Sequence, residues 1–251
     1  MKLSTTAAVI TGGASGLGEA TARYFASQGA QVTILDRDAE RGEAVAKELK
    51  GYFAKTDVTD EESVQAAIDL AMEKMGKITA TVNCAGIAFG IKTSGKDGPH
   101  PLDKFKQTLD VNLVGTFNVS RLASVAMAKN EPESDGARGV IISTASVAAF
   151  EGQKGQVAYS ASKGGVVGMT VPMARDLASV GIRVMTIAPG IFMTPMLAGL
   201  PEDVQKQLAA DVPNPPRLGD PSEYGRLAGF IVECGYLNGE TIRIDGALRM
   251  R

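Results

Sequence analysis

With one histidine, two cysteines and almost balanced charge, the sequence excludes several chemistries before any motif is read. His100 lies in a Gly/Pro-rich stretch, so a Ser-His-Asp hydrolase is poorly supported and no metal site is expected. Cys84 and Cys234 are too few for a disulfide framework and suit a reducing compartment. A formal net charge of -2 gives no reason to expect nucleic acid or an anionic membrane as a partner. Apolar runs are broken by glycine or charge well short of membrane-spanning length. No signal-peptide-like stretch precedes the first strand-like run, so a cytoplasmic location is expected. Any proton chemistry must therefore use tyrosine, lysine or carboxylates.

What is present is a regular alternation. The chain has 251 residues, 44% hydrophobic and 22% charged, enough for a large α/β core. Short apolar runs at about 7–11, 31–35, 52–55, 78–83, 140–143, 183–187 and 241–244 read as strands. Amphipathic stretches at about 16–28, 39–49, 60–75, 102–129, 156–178 and 221–233 read as helices. Pro172 inside the fifth of these is expected to kink it. No linker divides the series. The pattern predicts a single domain over 1–251, a Rossmann fold whose doubly wound, seven-stranded parallel sheet carries helices on both faces. In such a sheet ligands bind at the carboxyl ends of the strands.

Those ends carry distinctive residues. TGGASGLG closes the first strand and opens a helix, so Gly12, Ser15, Gly16, Leu17 and Gly18 are expected to cradle a pyrophosphate. No GK[ST] follows, which argues against a phosphate-transferring loop. Asp36 ends the second strand, where a carboxylate accepts ribose hydroxyls and repels a 2′-phosphate, predicting NAD(H) over NADP(H). Arg37 beside it is the dissenting residue. Asp57-Val58 is placed to meet an adenine, and Cys84-Ala85-Gly86 to let a nicotinamide ribose pass close. Cys84 reads as a packing residue, since no cation beside it is evident. The loop over 87–104 is long for its position and holds Lys92, Lys96 and Lys104 opposite Asp97 and Asp103. It reads equally as one wall of a substrate cleft or as a solvated insertion. Asn112, inside the next helix, is positioned to bend it or to hold a water.

Ser146 to Lys163 reads SVAAFEGQKGQVAYSASK. Tyr159 and Lys163 are one helical turn apart and share a face. An ammonium roughly 4 Å from a phenol, at an effective dielectric of about 20, contributes on the order of 4 kcal/mol, about three pKa units. That expectation brings the phenol, ordinarily near pKa 10, toward neutral pH, where acid–base catalysis is most effective.

Taken together in this order, TGxxxGxG, Asn83-Cys84-Ala85-Gly86, Asn112, Ser146 and Tyr159-x-x-x-Lys163 resemble the short-chain dehydrogenase/reductase family across essentially the whole chain. The resemblance implies that Tyr159 is the general acid/base and that Ser146 bonds the substrate oxygen. It implies that Lys163 binds the nicotinamide ribose and lowers the tyrosine pKa, while Asn112 holds a relay water. Ser143 is a nearby, lesser candidate for the substrate serine. In the turn after the sixth strand, Pro189, Phe192 and Thr194 would approach the carboxamide of NAD. The segment 190–217, with Met196, Leu197, Leu200 and Leu208, would form an apolar lid.

Within that family, NEPESDGARGVIISTASVAAFEGQ, AYSASKGGVVGMT and LNGETIRIDGALRM look like the type II 3-hydroxyacyl-CoA dehydrogenase branch. This implies NAD-dependent interconversion of L-3-hydroxyacyl-CoA and 3-oxoacyl-CoA, on short or 2-methyl-branched chains. The substrate is then an acyl-CoA thioester, with Gln156 and the FEGQKGQ segment in its wall, and the assembly a homotetramer. The alternatives are a hydroxysteroid dehydrogenase, a 3-oxoacyl carrier-protein reductase, or a non-catalytic NAD-binding scaffold. Asp36 argues against the carrier-protein reductase, and the intact Ser146/Tyr159/Lys163/Asn112 set against the scaffold. A methyltransferase on this fold would leave Tyr159 and Lys163 without a task.

Overall fold

A computed structural model describes residues 1–96, 98–199 and 201–250. Its strands, in chain order, are β1 (Ala7–Thr11), β2 (Gln31–Asp36), β3 (Tyr52–Lys55) and β4 (Ala80–Asn83). The two-residue β5 (Ser94–Gly95) and β6 (Gly98–Pro99) follow, then β7 (Gly139–Thr144), β8 (Ile182–Pro189) and β9 (Thr241–Ile244). The first helices are α1 (Gly16–Ser27), α2 (Ala39–Glu48), α3 (Glu61–Met75), α4 (Leu102–Leu109) and α5 (Gly115–Met127). After them come α6 (Val157–Asp176), α7 (Pro195–Ala198), α8 (Glu202–Ala210) and α9 (Pro221–Glu233).

Seven strands form one sheet in the order β3-β2-β1-β4-β7-β8-β9, every neighbouring pair parallel. The order runs outward in opposite directions from β1 and β4, which opens a crevice at their carboxyl ends. Side-chain alternation divides the core between the two faces. Ala8 and Ile10 of β1 pack with Phe25 of α1 and with Tyr224 and Ile231 of α9. Ala7 and Val9 of the same strand pack with Ile68 of α3, Val119 of α5 and Met173 of α6.

Helix ends follow their local chemistry. Asp60 accepts from the Glu62 and Ser63 amides at the start of α3, and Gly76 ends it in the left-handed region at φ 74°. Asp220 and Glu223 form a capping box on α9, with Pro221 at its first position. At the other end of α9, the buried Arg183 guanidinium on β8 donates to the carbonyls of Ile231, Val232 and Leu237. A cation at a helix C-terminus is favourably placed against its dipole.

The expected strands and helices all form, with adjusted ends. The expected 78–83 strand begins at Ala80, and the 102–129 helix divides into α4, a π-helical turn over Asp110–Val114, and α5. The π turn falls on Asn112, where an extra residue is taken into the helix, so the predicted disturbance is real. Helix α6 runs on through Pro172 to Asp176. The β5–β6 hairpin and helices α7 and α8 are additions to the expected elements: two-residue strands are too short for periodicity, and 190–217 was expected as an apolar lid with no element assigned to it. The signals for α8 were present nonetheless, Pro201 followed by Glu202 and Asp203 in the first turn. Asp97 and Leu200 lie outside the described residues. Among the described residues no helix is long and apolar enough to cross a membrane.

Candidate active site

The crevice between β1 and β4 is a cleft of about 400 Å³. Its lining includes Gly12, Ser15, Gly16, Leu17, Gly18 and Asp36. Asp57, Val58, Cys84, Ala85, Gly86 and Thr194 also line it. Backbone meets backbone at the turn: a Cβ on Gly12 would stand 2.9 Å from the Ala85 nitrogen, and one on Gly18 would strike the Gly12 carbonyl. Gly12 and Gly16 also hold positive φ, at 63° and 58°. Asp36 is pinned by two amides, Ala14 N–H to Oδ2 and Asp38 N–H to Oδ1, both at 3.0 Å. Each oxygen keeps a further lone pair for a ribose hydroxyl. The cradle and the oriented carboxylate fit the adenosine diphosphate half of a dinucleotide.

Arg37 and Asp57 are paired at the cleft edge, and two expected cofactor contacts, Phe192 and Pro189, stand off it. Arg37 is 3.6 Å from Asp57 Oδ2, so it turns to a carboxylate rather than standing free for a phosphate. Asp57 is itself engaged, its Oδ1 receiving both the amide and the hydroxyl of Thr59. Burial pushes its carboxyl up, but the Thr59 hydrogen bonds and Arg37 outweigh it and hold the group below its ordinary value. Phe192 is buried against Gly219, and Pro189 is buried in register with Ile244, so neither side chain lines the cleft. From this segment it is Thr194, beside Gly16, that lines the cleft.

At the Gly86 end the catalytic candidates converge. A Cβ on Gly86 would stand 3.3 Å from Asn112 Oδ1 and 3.6 Å from Lys163 Nζ, which locates both groups at the cleft floor. Tyr159 and Lys163 rise from the same face of α6, with Nζ 5.7 Å from the phenol ring centre. Lys163 is buried and donates to the Thr144 carbonyl at 2.7 Å. Ser146 follows β7, and its hydroxyl both accepts from the Ala148 amide at 3.1 Å and acts on the phenol as a hydrogen-bond partner. Burial pushes Lys163 down from 10.5 to about 8. Burial also raises the Tyr159 phenol, and the Ser146 bond offsets this in part. The expected depression of the phenol by Lys163 is therefore absent from this state of the site. Each group is pushed toward its neutral form, because desolvation opposes either charge.

Asn112 is fully buried and its amide is committed. Oδ1 accepts from the Ile87 amide at 2.8 Å, while Nδ2 donates to the Ile87 carbonyl at 2.9 Å and to Ser162 Oγ at 3.0 Å. The side chain thus ties the start of the long loop to α6, and both amide hydrogens are spent on protein rather than on a water. Ser143, the alternative serine, is buried and takes a 3.4 Å bond from Asn83, which leaves Ser146 as the serine at the phenol. Gln156 turns its Oε1 back onto the Gln153 amide at 2.9 Å, so this half of its amide closes its own loop. That loop meets the other expected wall directly, through an Ile91 amide donating to the Gly155 carbonyl at 2.9 Å. Of the lid residues, Leu197 and Leu208 are half-buried, and α8 has no fully buried side chain. Nothing is described for Leu200 or for the side chain of Met196.

Sequence reasoning missed the layer beneath Lys163. Thr144 Oγ1 donates to the Asn83 carbonyl at 2.6 Å, so the 2.7 Å contact with Tyr224 must use the tyrosine hydrogen. Cys84 Sγ lies 3.8 Å from the Tyr224 hydroxyl. The result is a directed chain, Cys84 to Tyr224 to Thr144 to Asn83, under the carbonyl that receives Lys163. Cys84 is the packing thiol anticipated, and burial pushes its pKa up. Tyr224 lies 80 positions from Thr144, and no local spacing connects them.

Comparison with known proteins places these features in context. The sequence model described as "short chain dehydrogenase" matches residues 6–205. The chain is 58% identical over 248 residues to 3-hydroxyacyl-CoA dehydrogenase type-2 of Rattus norvegicus, covering 97% of this chain and 95% of that one. The crystal structure of 3-hydroxyacyl-CoA dehydrogenase type-2 from Mycobacterium avium superposes with a TM-score of 0.95 at 44% identity, over 98% of this chain and 96% of that one. A 7α-hydroxysteroid dehydrogenase complexed with NADH and 7-oxo glycochenodeoxycholic acid gives a TM-score of 0.89 at 27% identity, over 100% and 96%.

Proposed function

Because the chain belongs to the short-chain dehydrogenase family, we propose that it is an NAD-dependent 3-hydroxyacyl-CoA dehydrogenase in which Ser146, Tyr159, Lys163 and Asn112 serve the proton transfer. The observation that carries this reading is the convergence of Tyr159, Ser146 and Lys163 at the Gly86 end of a dinucleotide cleft. The acyl-CoA substrate is drawn from relatives similar over nearly the full length. A bound nicotinamide supplies the hydride acceptor. In the reductive direction Tyr159, held as the neutral phenol, gives its proton to the 3-oxo oxygen as hydride reaches the adjacent carbon, and in oxidation the resulting phenolate takes that proton back. Ser146 holds the same oxygen from a second direction, which orients it and stabilises charge as it develops. Lys163 keeps its positive end at the cleft floor, between the phenol and Gly86. Asn112 fixes the strand-end backbone at Ile87 against which that floor is built.

Asp36 supports NAD over NADP: its amide-pinned carboxylate suits a ribose diol, and it would repel a 2′-phosphate. Arg37, paired with Asp57, is drawn away from the opposing role. The assembly is proposed to be a homotetramer. Val114 of the π turn, Phe117 and Val125 of α5, and Val157 and Val171 of α6 are exposed apolar side chains that such an assembly would cover. The reading is tested by following NADH consumption with acetoacetyl-CoA, against NADPH and against a ketosteroid. It predicts thioester reduction with NADH at the highest kcat/KM. A higher kcat/KM for the steroid, or for NADPH, would refute it.

A further inference from the structure

Two segments set apart by their sequence, FEGQ at 150–153 and RIDGALRM at 243–250, lie 92 positions apart yet meet in the fold. Glu151 receives both terminal nitrogens of Arg243 at 2.9 Å in a two-pronged contact, and Arg249 Nε stands 3.5 Å away. Arg243 also donates from Nε to Asp245 Oδ2 at 2.7 Å and from Nη2 to the Leu248 carbonyl at 3.1 Å. Arg249 closes the cluster on Asp245 Oδ2 at 3.1 Å. The Phe150 ring lies 5.3 Å from the Arg243 guanidinium. Asp245 is only 9% exposed, with Arg243 at 23% and Glu151 at 26%, so this is no loose surface pair. A planar fork on a carboxylate fixes direction as well as distance.

What the cluster holds is the substrate-wall loop. The amides of Phe150 and Glu151 both donate to the Val147 carbonyl at 3.0 Å, so Glu151 continues directly from the turn begun by Ser146. Beyond it Gly152, Gln153 and Lys154 are exposed, and Gly152 lies against Ser160, the neighbour of Tyr159. The loop's next tie is Gly155 to Ile91 of the opposite wall. Helix α6 packs against the turn at Val147–Ala149 and against Gly152, while the charged side-chain ties to Glu151 come from Arg243 and Arg249, on β9 and just after it.

We propose that the segment 243–249 is a positioning clamp on the wall loop 150–156, and that Glu151 and Arg243 thereby set the affinity for the acyl thioester without entering the chemistry at Tyr159. The proposal rests on the 3-hydroxyacyl-CoA dehydrogenase reading for its substrate. Its test compares Glu151→Gln, Arg243→Gln and the double variant with the parent, using acetoacetyl-CoA and NADH. Each single variant raises KM for the thioester roughly three- to tenfold, and the double variant is no worse than the poorer single, as groups acting through one contact behave. The kcat stays within about twofold and the NADH Kd, read by fluorescence, is unchanged, which separates positioning from catalysis. Hydrogen exchange on the cofactor-free protein shows faster exchange at the amides of 150–156 in both variants. An unchanged thioester KM, additive effects, or a parallel loss of NADH affinity overturns the clamp. If Arg243→Gln does not fold, Glu151→Gln carries the test, because it leaves the Arg243–Asp245 pair in place. If the parent itself fails to reduce acetoacetyl-CoA, the functional reading falls, and the exchange at 150–156 still decides the clamp.

Discussion

Replacing Lys163 by Met should change how stability depends on pH in a direction that burial alone dictates. Lys163 is 4% exposed and is held at about pKa 8, against 10.5 for the unperturbed side chain. The folded-state value lies below the unfolded one, so the unfolded chain holds more protons between those limits. The destabilisation is therefore full below pH 8 and fades as the pH rises toward 10.5. At pH 7 it amounts to about 3 kcal/mol, and about 2 kcal/mol of that disappears by pH 9.5. Methionine removes this dependence while leaving the Thr144 carbonyl short of a donor, an offset of about 1–3 kcal/mol that does not vary with pH. The raised thiol of Cys84 works the other way above pH 9 and is coupled to Lys163, so parent and variant are compared in a Cys84→Ala background, where that contribution is absent from both. The assay is urea unfolding of the cofactor-free protein and the variant at pH 7 and 9.5, at one fixed protomer concentration. The stability of the parent relative to Lys163→Met should rise by about 2 kcal/mol across that interval. A difference that stays constant within about 0.5 kcal/mol would show that the buried lysine is solvated well enough to keep its ordinary pKa.

Tyr159→Phe should lower kcat with acetoacetyl-CoA by on the order of 10²- to 10⁴-fold with NADH binding intact, and near-normal turnover would remove the phenol from the mechanism. Asp36→Ala frees the Ala14 amide and lifts the repulsion of a 2′-phosphate, so the ratio of kcat/KM for NADH to that for NADPH should fall by about tenfold or more; an unchanged ratio would assign the preference elsewhere. Asn112→Leu strips both main-chain groups of Ile87 of the side chain that pairs them and removes one of the two bonds of the Ser162 hydroxyl, which keeps the Tyr159 carbonyl. It should destabilise the protein by about 3 kcal/mol, and a loss under 1 kcal/mol in urea unfolding would contradict the clamp assigned to this side chain. Tyr224→Phe breaks the hydroxyl chain at Thr144 and should reduce stability by about 1 kcal/mol, whereas a gain would mean the buried hydroxyl is strained.

The parallel sheet was legible because it is written in a local code. Ala7 and Val9 face one layer and Ala8 and Ile10 the other, so β1 reads as a continuous apolar run between turn residues, as buried parallel strands do. The glycines of the first turn were legible for a related reason: φ near 60° at Gly12 and Gly16 disfavours a side chain, and backbone contact at Gly12 and Gly18 leaves no room for a Cβ. Helix α7 is four residues long, and α8 carried a start signal at Pro201-Glu202-Asp203 without a matching apolar face. No α8 side chain is fully buried, so its apolar positions mark no clear face toward a core. The hairpin of β5 and β6 rests on two residue pairs, below the length at which alternation can be seen.

The site was legible in its residue types and misread in its charges, and the two outcomes have one cause. A four-residue spacing places Tyr159 and Lys163 on one helical face whatever surrounds the helix, so their proximity follows from α6 alone. Their pKa values do not. The Coulomb attraction between a phenolate and an ammonium could be written from the spacing, and it favours both charged forms. Desolvation depends on what α6 is buried against, which includes Thr144 at the end of β7 and Gly86 in the loop after β4. Those contacts come from segments 19 or more positions away from Lys163, and they reverse the balance: the phenol rises and the lysine falls. The same distance in sequence hid Tyr224 beneath Thr144 and Arg243 behind Glu151, since each contact needs the finished sheet to bring its partners together. Residues that carry the chemistry announce themselves through local spacing, whereas the residues that tune them are set by packing across the sheet.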